Sequence, residues 1–299
     1  MTANNFLKTY KKLLGKTPVK VALDAKIVET RYYPDYIREK VIYKVEKDEE
    51  VPAYFLIPKN VKKPVPAVVV MHQHGGQFGL GKSEVVGRIG LKNQQYAVEL
   101  VKQGYAVLAA DSRCFEERMK YWDGDGIYTA KMLLSGRTMA GMQIWDVSRA
   151  VDFLETRTEV DPSRIGIIGH SMGCMQTLNS TPLEKRIKVA VASCGAKVLE
   201  VCFKRGDGIP ASYQIPGLMQ YGDLPDIYSL IAPRPLLILG KRSDKVSTLD
   251  EIKVVKEAVS KRYKASGKAN KFKVFLEDGG HDFSPTLRAD AYKWLKKWL

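Results

Sequence analysis

Apolar and polar positions in this chain follow a recurring scheme. In "YIREKVIYKVEKDEEVPAYFLIPK" the two kinds alternate on both sides of "KDEE". A period of two predicts a pair of half-buried antiparallel strands joined by an acidic turn. "PAVVVMHQHGG" then presents a continuous apolar run, the pattern of a strand buried on both faces. "LKNQQYAVELVKQG" reads as a helix closed by Gly104, and "YAVLAADSR" as another buried strand. In "RTMAGMQIWDVSRAVDFLETR" the residues Met142, Ile144, Trp145, Val147, Ala150, Val151 and Leu154 fall on one helical face.

The alternation continues to the end. "RIGIIG", "KVAVASCG", "RPLLILG" and "KFKVFLED" predict strands, separated by helices over "SMGCMQTLN" and "LDEIKVVKEAVSKRYKASG" and followed by "SPTLRADAYKWLKKWL". A hairpin followed by strand–helix units predicts an α/β protein. Its sheet is mostly parallel and twisted, with helices on both faces. Two segments depart from the scheme: residues 114–136, and residues 198–232 with their "GDGIP", "QIPG" and "DLPD" turns. Insertions at the carboxyl edge of such a sheet commonly shape a substrate pocket. With no linker or repeat, the expectation is one domain over 1–299. Residues 1–30 form an N-terminal extension to it and 198–232 a cap-like insertion.

Composition narrows the class. Of 299 residues, 45% are apolar and 27% charged, ordinary for a globular protein with a sizeable core. No stretch approaches the ~18 to 20 apolar residues of a membrane span. The start, "MTANNFLKTYKKLLGKTPVK", lacks the uninterrupted apolar region and cleavage site of a signal peptide, so the expected location is cytoplasmic. Cys114, Cys174, Cys194 and Cys202 show no CxxC spacing and read as free thiols in a reducing compartment. The formal charge is +15, from 48 basic and 33 acidic residues. Those basic residues are spread over every segment with no nucleic-acid motif, so they read as solvated surface, without a nucleic-acid or membrane partner. A basic surface still hints at anionic substrates such as acidic sugars.

Candidate chemistry centres on "RIGIIGHSMGCMQ". Gly169, His170, Ser171, Met172 and Gly173 match G-x-S-x-G between a predicted strand and a predicted helix. There the glycines permit a tight, strained turn that holds up a nucleophilic serine. A serine hydroxyl needs a base within reach, itself oriented by an acid. Of the four histidines, His72, His74, His170 and His281, only His281 follows the serine, in "EDGGHDF" after a strand. The acid belongs on the loop after the next-to-last strand, where "PLLILGKRSDKVS" offers Asp244. Asp282, Asp223, Asp226 and Glu200 are the rivals. The resulting order Ser171, Asp244, His281 is the serine–acid–histidine order of α/β-hydrolases.

A tetrahedral intermediate also needs donors aimed at its oxyanion. One is the Met172 N–H; the other is that of Gln73 or His74 in "HQHGG". His72 and His74 also have an H-x-H spacing found among zinc ligands, but the glycines after them fit anion binding better, and no metal is expected. Candidate substrate contacts are Arg113, His170 and Tyr213. Arg113 and Asp111 also suit an internal ion pair, the stronger reading. Tyr213 stands with Phe203, Met219 and Tyr221 in the 198–232 segment, and His170 flanks the nucleophile. Cys174 reads as core.

From about Tyr36 onward, these residues resemble the α/β-hydrolase superfamily. "VVVMHQHGGQFGLGKSEVVG", "GYAVLAADSRCFEER" and "DPSRIGIIGHSMGC" resemble its dienelactone-hydrolase-like and acetyl-xylan-esterase-like branch. "VDPSRIGIIGHSMGC" is also similar to the catalytic domains of prolyl-oligopeptidase-type peptidases. The resemblance implies an α/β-hydrolase fold and a serine or cysteine nucleophile, with neither metal nor organic cofactor. Serine stands here where true dienelactone hydrolases carry cysteine. The expected activity is hydrolysis of a small-molecule carboxylic ester through an acyl-enzyme. The alternatives are a peptidase or amidase on the same triad, and a non-catalytic binding protein on a hydrolase scaffold. The acyl group, the alcohol and the oligomeric state stay open.

Overall fold

The computed structural model describes residues 2–62, 64–120 and 125–299. Among these, nine strands share one sheet. They are β1 (Lys26–Tyr32), β2 (Tyr36–Glu46), β3 (Glu49–Pro58), β4 (Val65–Met71), β5 (Ala106–Ala110), β6 (Val160–His170), β7 (Ile187–Ser193), β8 (Leu236–Lys241) and β9 (Phe272–Glu277). Their order is β1-β2-β3-β5-β4-β6-β7-β8-β9. The β1–β2, β2–β3 and β3–β5 pairs are antiparallel, and every pair from β5 to β9 is parallel. The predicted hairpin is β2–β3, which closes on the Glu46–Glu49 pair.

Ten helices accompany the sheet among the described residues. The first five are α1 (Ala3–Leu13), α2 (Lys82–Val85), α3 (Tyr96–Lys102), α4 (Gly126–Leu134) and α5 (Met139–Glu155). The others are α6 (Met172–Ser180), α7 (Leu199–Arg205), α8 (Leu224–Ser229), α9 (Leu249–Ala265) and α10 (Pro285–Trp298). β4 shows why its sequence is apolar throughout. Val65, Ala67, Val69 and Met71 pack into a cluster with α5, α6 and α9, while Val68 and Val70 pack on the opposite face with α3 and α10. A parallel strand covered on both faces has no polar side to show.

The structure adds elements that the pattern does not reveal. β1 is an edge strand with six of its seven residues exposed, so burial imposes no alternation on it. Within residues 1–30, α1 is capped by Thr2 and buries Phe6 and Tyr10. The Tyr10 hydroxyl donates to the Asn179 carbonyl at 3.1 Å, tying α1 to α6. The 114–136 stretch carries α4, and its residues 121–124 lie outside the described residues. Residues 198–232 hold α7, two single 3-10 turns and α8. No helix among the described residues is long and apolar enough to cross a membrane.

All four cysteines are free and buried. Burial pushes the Cys114 and Cys194 thiols up to about 12 and Cys202 up to about 11, and lifts Cys174 as well.

Candidate active site

The centre of the site is the junction of β6 and α6. Ser171 sits there at φ 57° and ψ −117°, a region that costs a residue with a side chain roughly 1–3 kcal/mol. Its N–H donates to the Ser193 carbonyl of β7 at 2.8 Å, which pins the turn to the sheet. Missing side chains make the turn possible. A Cβ on Gly169 would strike the Gly173 backbone, one on Gly173 the Met71 carbonyl, and one on Gly195 the Ser171 carbonyl. Each approach is inside the 3.0 Å that real Cβ atoms keep.

The loops after β8 and β9 bring Asp244 and His281 to this turn. His281 Nε2 lies 2.9 Å from Ser171 Oγ, and its Nδ1 lies 2.9 Å from Asp244 Oδ2. Asp244 Oδ1 accepts the N–H groups of Val246 (2.7 Å) and Ser247 (3.1 Å). Burial opposes ionisation of Asp244, but His281 and these two donors outweigh it and hold the carboxyl below its usual range. An ionised Asp244 accepts a hydrogen bond from Nδ1–H, which leaves Nε2 unprotonated to accept from the serine hydroxyl. The rival carboxylates are engaged elsewhere. Asp282 pairs with Lys241 at 2.9 Å, Glu200 pairs with Lys204, and Asp223 and Asp226 form the capping box of α8.

A pH dependence follows from Asp244. Its folded pKa lies below the unfolded one, so it stabilises the fold above about pH 4 and loses that contribution as pH falls through the folded value. In urea melts taken from neutral pH downward, Asp244→Asn is expected to lose less stability on acidification than the wild type. Equal losses would contradict it.

The loop after β4 is braced against α6. The Met71 and His72 carbonyls face Gly173, so Gln73 and His74 follow directly beside the start of α6. There Met172 opens the helix with an N–H that has no intrahelical acceptor. His72 Nδ1 donates to the Gln73 carbonyl at 2.8 Å and Nε2 accepts the Ser112 N–H at 3.0 Å. Burial pushes this ring down to about 4, so it stays neutral. The Gln73 side chain donates to both Glu84 oxygens, at 3.2 and 3.0 Å. His74 packs on Phe78 and Phe115, and its Nδ1 accepts the Gly76 N–H at 3.0 Å. With both His72 ring nitrogens spent inside the chain, the H-x-H pair is not arranged as a metal site. Asp111, Glu116 and Glu117 also converge, but on the buried Lys82 ammonium, at 2.7, 2.8 and 2.5 Å.

A cavity of about 820 Å³ opens above Ser171 and His281. Thr129, Ala130 and Leu133 of α4, Met172 and Met175 of α6, and Ile209 to Ser212 line it. The sequence singles out residues 114–136 as a departure that could shape a pocket, but not the helix α4 within it. Its one available signal is the apolar "IYTAKMLL" closed by Gly136.

Residues 9–278 match the model of the Abhydrolase family. The chain belongs to this family. YtaP of Bacillus subtilis (strain 168), a hydrolase by name, is 33% identical over 291 residues, 96% of this chain and 97% of its own. Two solved structures resemble this Abhydrolase-family chain at lower identity. An acetyl xylan esterase from Paenibacillus sp. R4 aligns with a TM-score of 0.68 and 20% identity, covering 99% of this chain and 94% of that one. A glucuronoyl esterase from Solibacter usitatus aligns with a TM-score of 0.72 and 15% identity, covering 98% and 91%. At such identity these neighbours show the fold, and it is the α/β-hydrolase fold that the sequence resemblance implies.

Three expected substrate contacts of the Abhydrolase-family chain are placed differently. Arg113 is buried: Nη2 bonds Glu46 (2.9 Å) and Asp146 (2.7 Å), and Nη1 bonds the Tyr128 hydroxyl (2.6 Å). The ion-pair reading of Arg113 therefore holds, although its partners are not Asp111, which pairs with Lys82. Arg118 shares Asp146 at 2.7 Å. Burial opposes the Asp146 charge, and the two arginines outweigh it, keeping the carboxyl below its usual range. Asp146→Asn leaves both buried guanidinium groups short of an anion. Its expected cost is about 3 kcal/mol in urea unfolding, and an unchanged midpoint would contradict it.

His170 is fully buried, stacked on Phe283 at 5.4 Å and standing 5.1 Å behind the His281 ring. Burial and the charge of His281 push it down to about 3, so it backs the imidazole as a neutral ring. Tyr213 is buried too; its hydroxyl donates to the Gly195 carbonyl at 2.8 Å and accepts from Tyr228 at 2.9 Å. Neither side chain lines the cavity above Ser171, although Tyr213 lines the groove that adjoins it.

Proposed function

We propose that the protein is a serine hydrolase that cleaves carboxylic esters through an acyl-enzyme. The observation that carries this reading is the hydrogen-bonded line Asp244–His281–Ser171 at the floor of the cavity. Fold neighbours named as esterases support an ester as the substrate.

In this mechanism Ser171 Oγ attacks the acyl carbon while His281 Nε2 takes its proton. Asp244 holds the ring in the required tautomer and stabilises the imidazolium. The Met172 N–H, with one from Gln73 or His74, receives the oxyanion. His281 then protonates the departing alcohol, and afterwards deprotonates the water that releases the acid and restores Ser171.

The test combines labelling with turnover. A fluorophosphonate probe is expected to modify Ser171 and abolish p-nitrophenyl acetate hydrolysis, while an aminoacyl p-nitroanilide is cleaved more slowly than the ester. An unlabelled Ser171, or an anilide preferred over the ester, would overturn the proposal.

A further inference from the structure

The +15 charge of the chain is not expressed at the cavity. Among the described residues no lysine or arginine lines it, and Asp125 is its one acidic wall residue. Arg113, the cation nearest in expectation, is consumed by Asp146 and Glu46. Lys197 and Arg205, which precede the 208–214 wall, are turned to Glu251 and Asp207. An anionic substrate would meet no lysine or arginine on the described wall.

Ala130, Leu133, Met175, Ile209 and Pro210 make much of the remaining wall apolar, and that surface does not end at the cavity rim. Leu133, Ile209 and Gln214 belong both to the cavity and to an adjoining groove of about 560 Å³. Phe203 and Met219 line that groove at 56% and 47% exposure, although most large apolar side chains of this protein are buried. Contiguous exposed apolar surface beside a site marks a place where apolar matter binds. Its continuity with the space above Ser171 identifies that matter as part of the substrate.

We infer that the site takes a neutral ester whose larger group is apolar and extended, running from Ser171 across Leu133 and Ile209 onto Phe203 and Met219. This rests on the serine-esterase reading and deepens it. It also reverses the expectation of acidic sugars drawn from net charge. The apolar group gains by leaving water along the whole wall, so selectivity grows with its length.

Two comparisons on the intact protein test it. From p-nitrophenyl acetate to butyrate to octanoate, kcat/KM is expected to rise about tenfold or more. The neutral methyl ester of 4-acetoxybenzoic acid is expected to exceed the 4-acetoxybenzoate anion, which has the same acyl group, by a similar factor. Phe203→Ser, a change at an exposed position, is expected to cut the octanoate-to-acetate ratio severalfold. Acetate turned over as well as octanoate, an anion turned over as well as its methyl ester, or an unchanged ratio in Phe203→Ser would overturn the inference. In each of these outcomes Ser171-dependent acetate turnover persists and the esterase reading stands. Loss of both labelling and all ester turnover would overturn the two together.

Discussion

Ser171→Ala is expected to lower kcat/KM for p-nitrophenyl acetate by about a million-fold while the protein stays folded. Among the described residues no other hydroxyl or thiol is hydrogen-bonded to His281 in its place. The Cys174 and Cys194 thiols are buried and held protonated, and the Ser193 hydroxyl is bonded to His170 rather than to His281. Removing Oγ also leaves the backbone strain in place, because alanine at φ 57° is as constrained as serine. Ser171→Gly separates the two roles of the position. It is expected to be equally inactive and more stable than wild type by about 1 kcal/mol, since glycine adopts this turn without penalty. Steady-state kinetics and thermal melts on the three proteins read both effects. Near-normal turnover in Ser171→Ala would remove the nucleophile from the scheme, and a glycine variant less stable than wild type would remove the strain.

Gly173→Ala adds one methyl group and is expected to cost more than about 4 kcal/mol, leaving little folded protein. The new Cβ would point into the Met71 carbonyl, with the His72 carbonyl 3.0 Å away. Both belong to backbone at the end of β4, whose neighbours on either side are β5 and β6. A side chain can rotate out of the way, whereas a central strand cannot move without its ladder. Any shift that did occur would separate Gln73 and His74 from Met172, so the surviving fraction would be inactive too. Gly76→Ala is the control. A Cβ there meets nothing within 4 Å, and the change carries only the strain of φ 70°, about 1–2 kcal/mol. Soluble yield and urea midpoints compare the two. A Gly173→Ala protein of native stability would mean that the elbow is not packed this closely.

Legibility in the sequence follows burial. β4, β6, β7 and β8 are enclosed on both faces, so their apolar runs stand out, and Ser171, Asp244 and His281 follow from the chain order of the loops those strands feed. β1 escapes notice because an exposed edge strand may carry any polar residue, as "KIVETRY" does. Arg113 could be read as an ion-pair residue, but its partner Asp146 is 33 positions away on α5, a neighbour only after folding. The surroundings of His170 and Tyr213 are illegible for a related reason. Both are residue types that bind substrates, and only tertiary packing turns their polar atoms inward, toward Ser193 and Gly195. The cavity wall is the least legible part, because α4 contributes some of it from a segment whose only helix signal is the short apolar run closed by Gly136.

The four cysteines have a chemical consequence of their own. Each thiol is shielded from solvent and protonated at neutral pH, so none offers the accessible thiolate that oxidants and alkylating reagents require. The ester cleavage proposed for Ser171 exchanges no electrons and consumes no thiol. In the folded protein the four thiols are therefore protected from disulfide exchange and from alkylation by their burial.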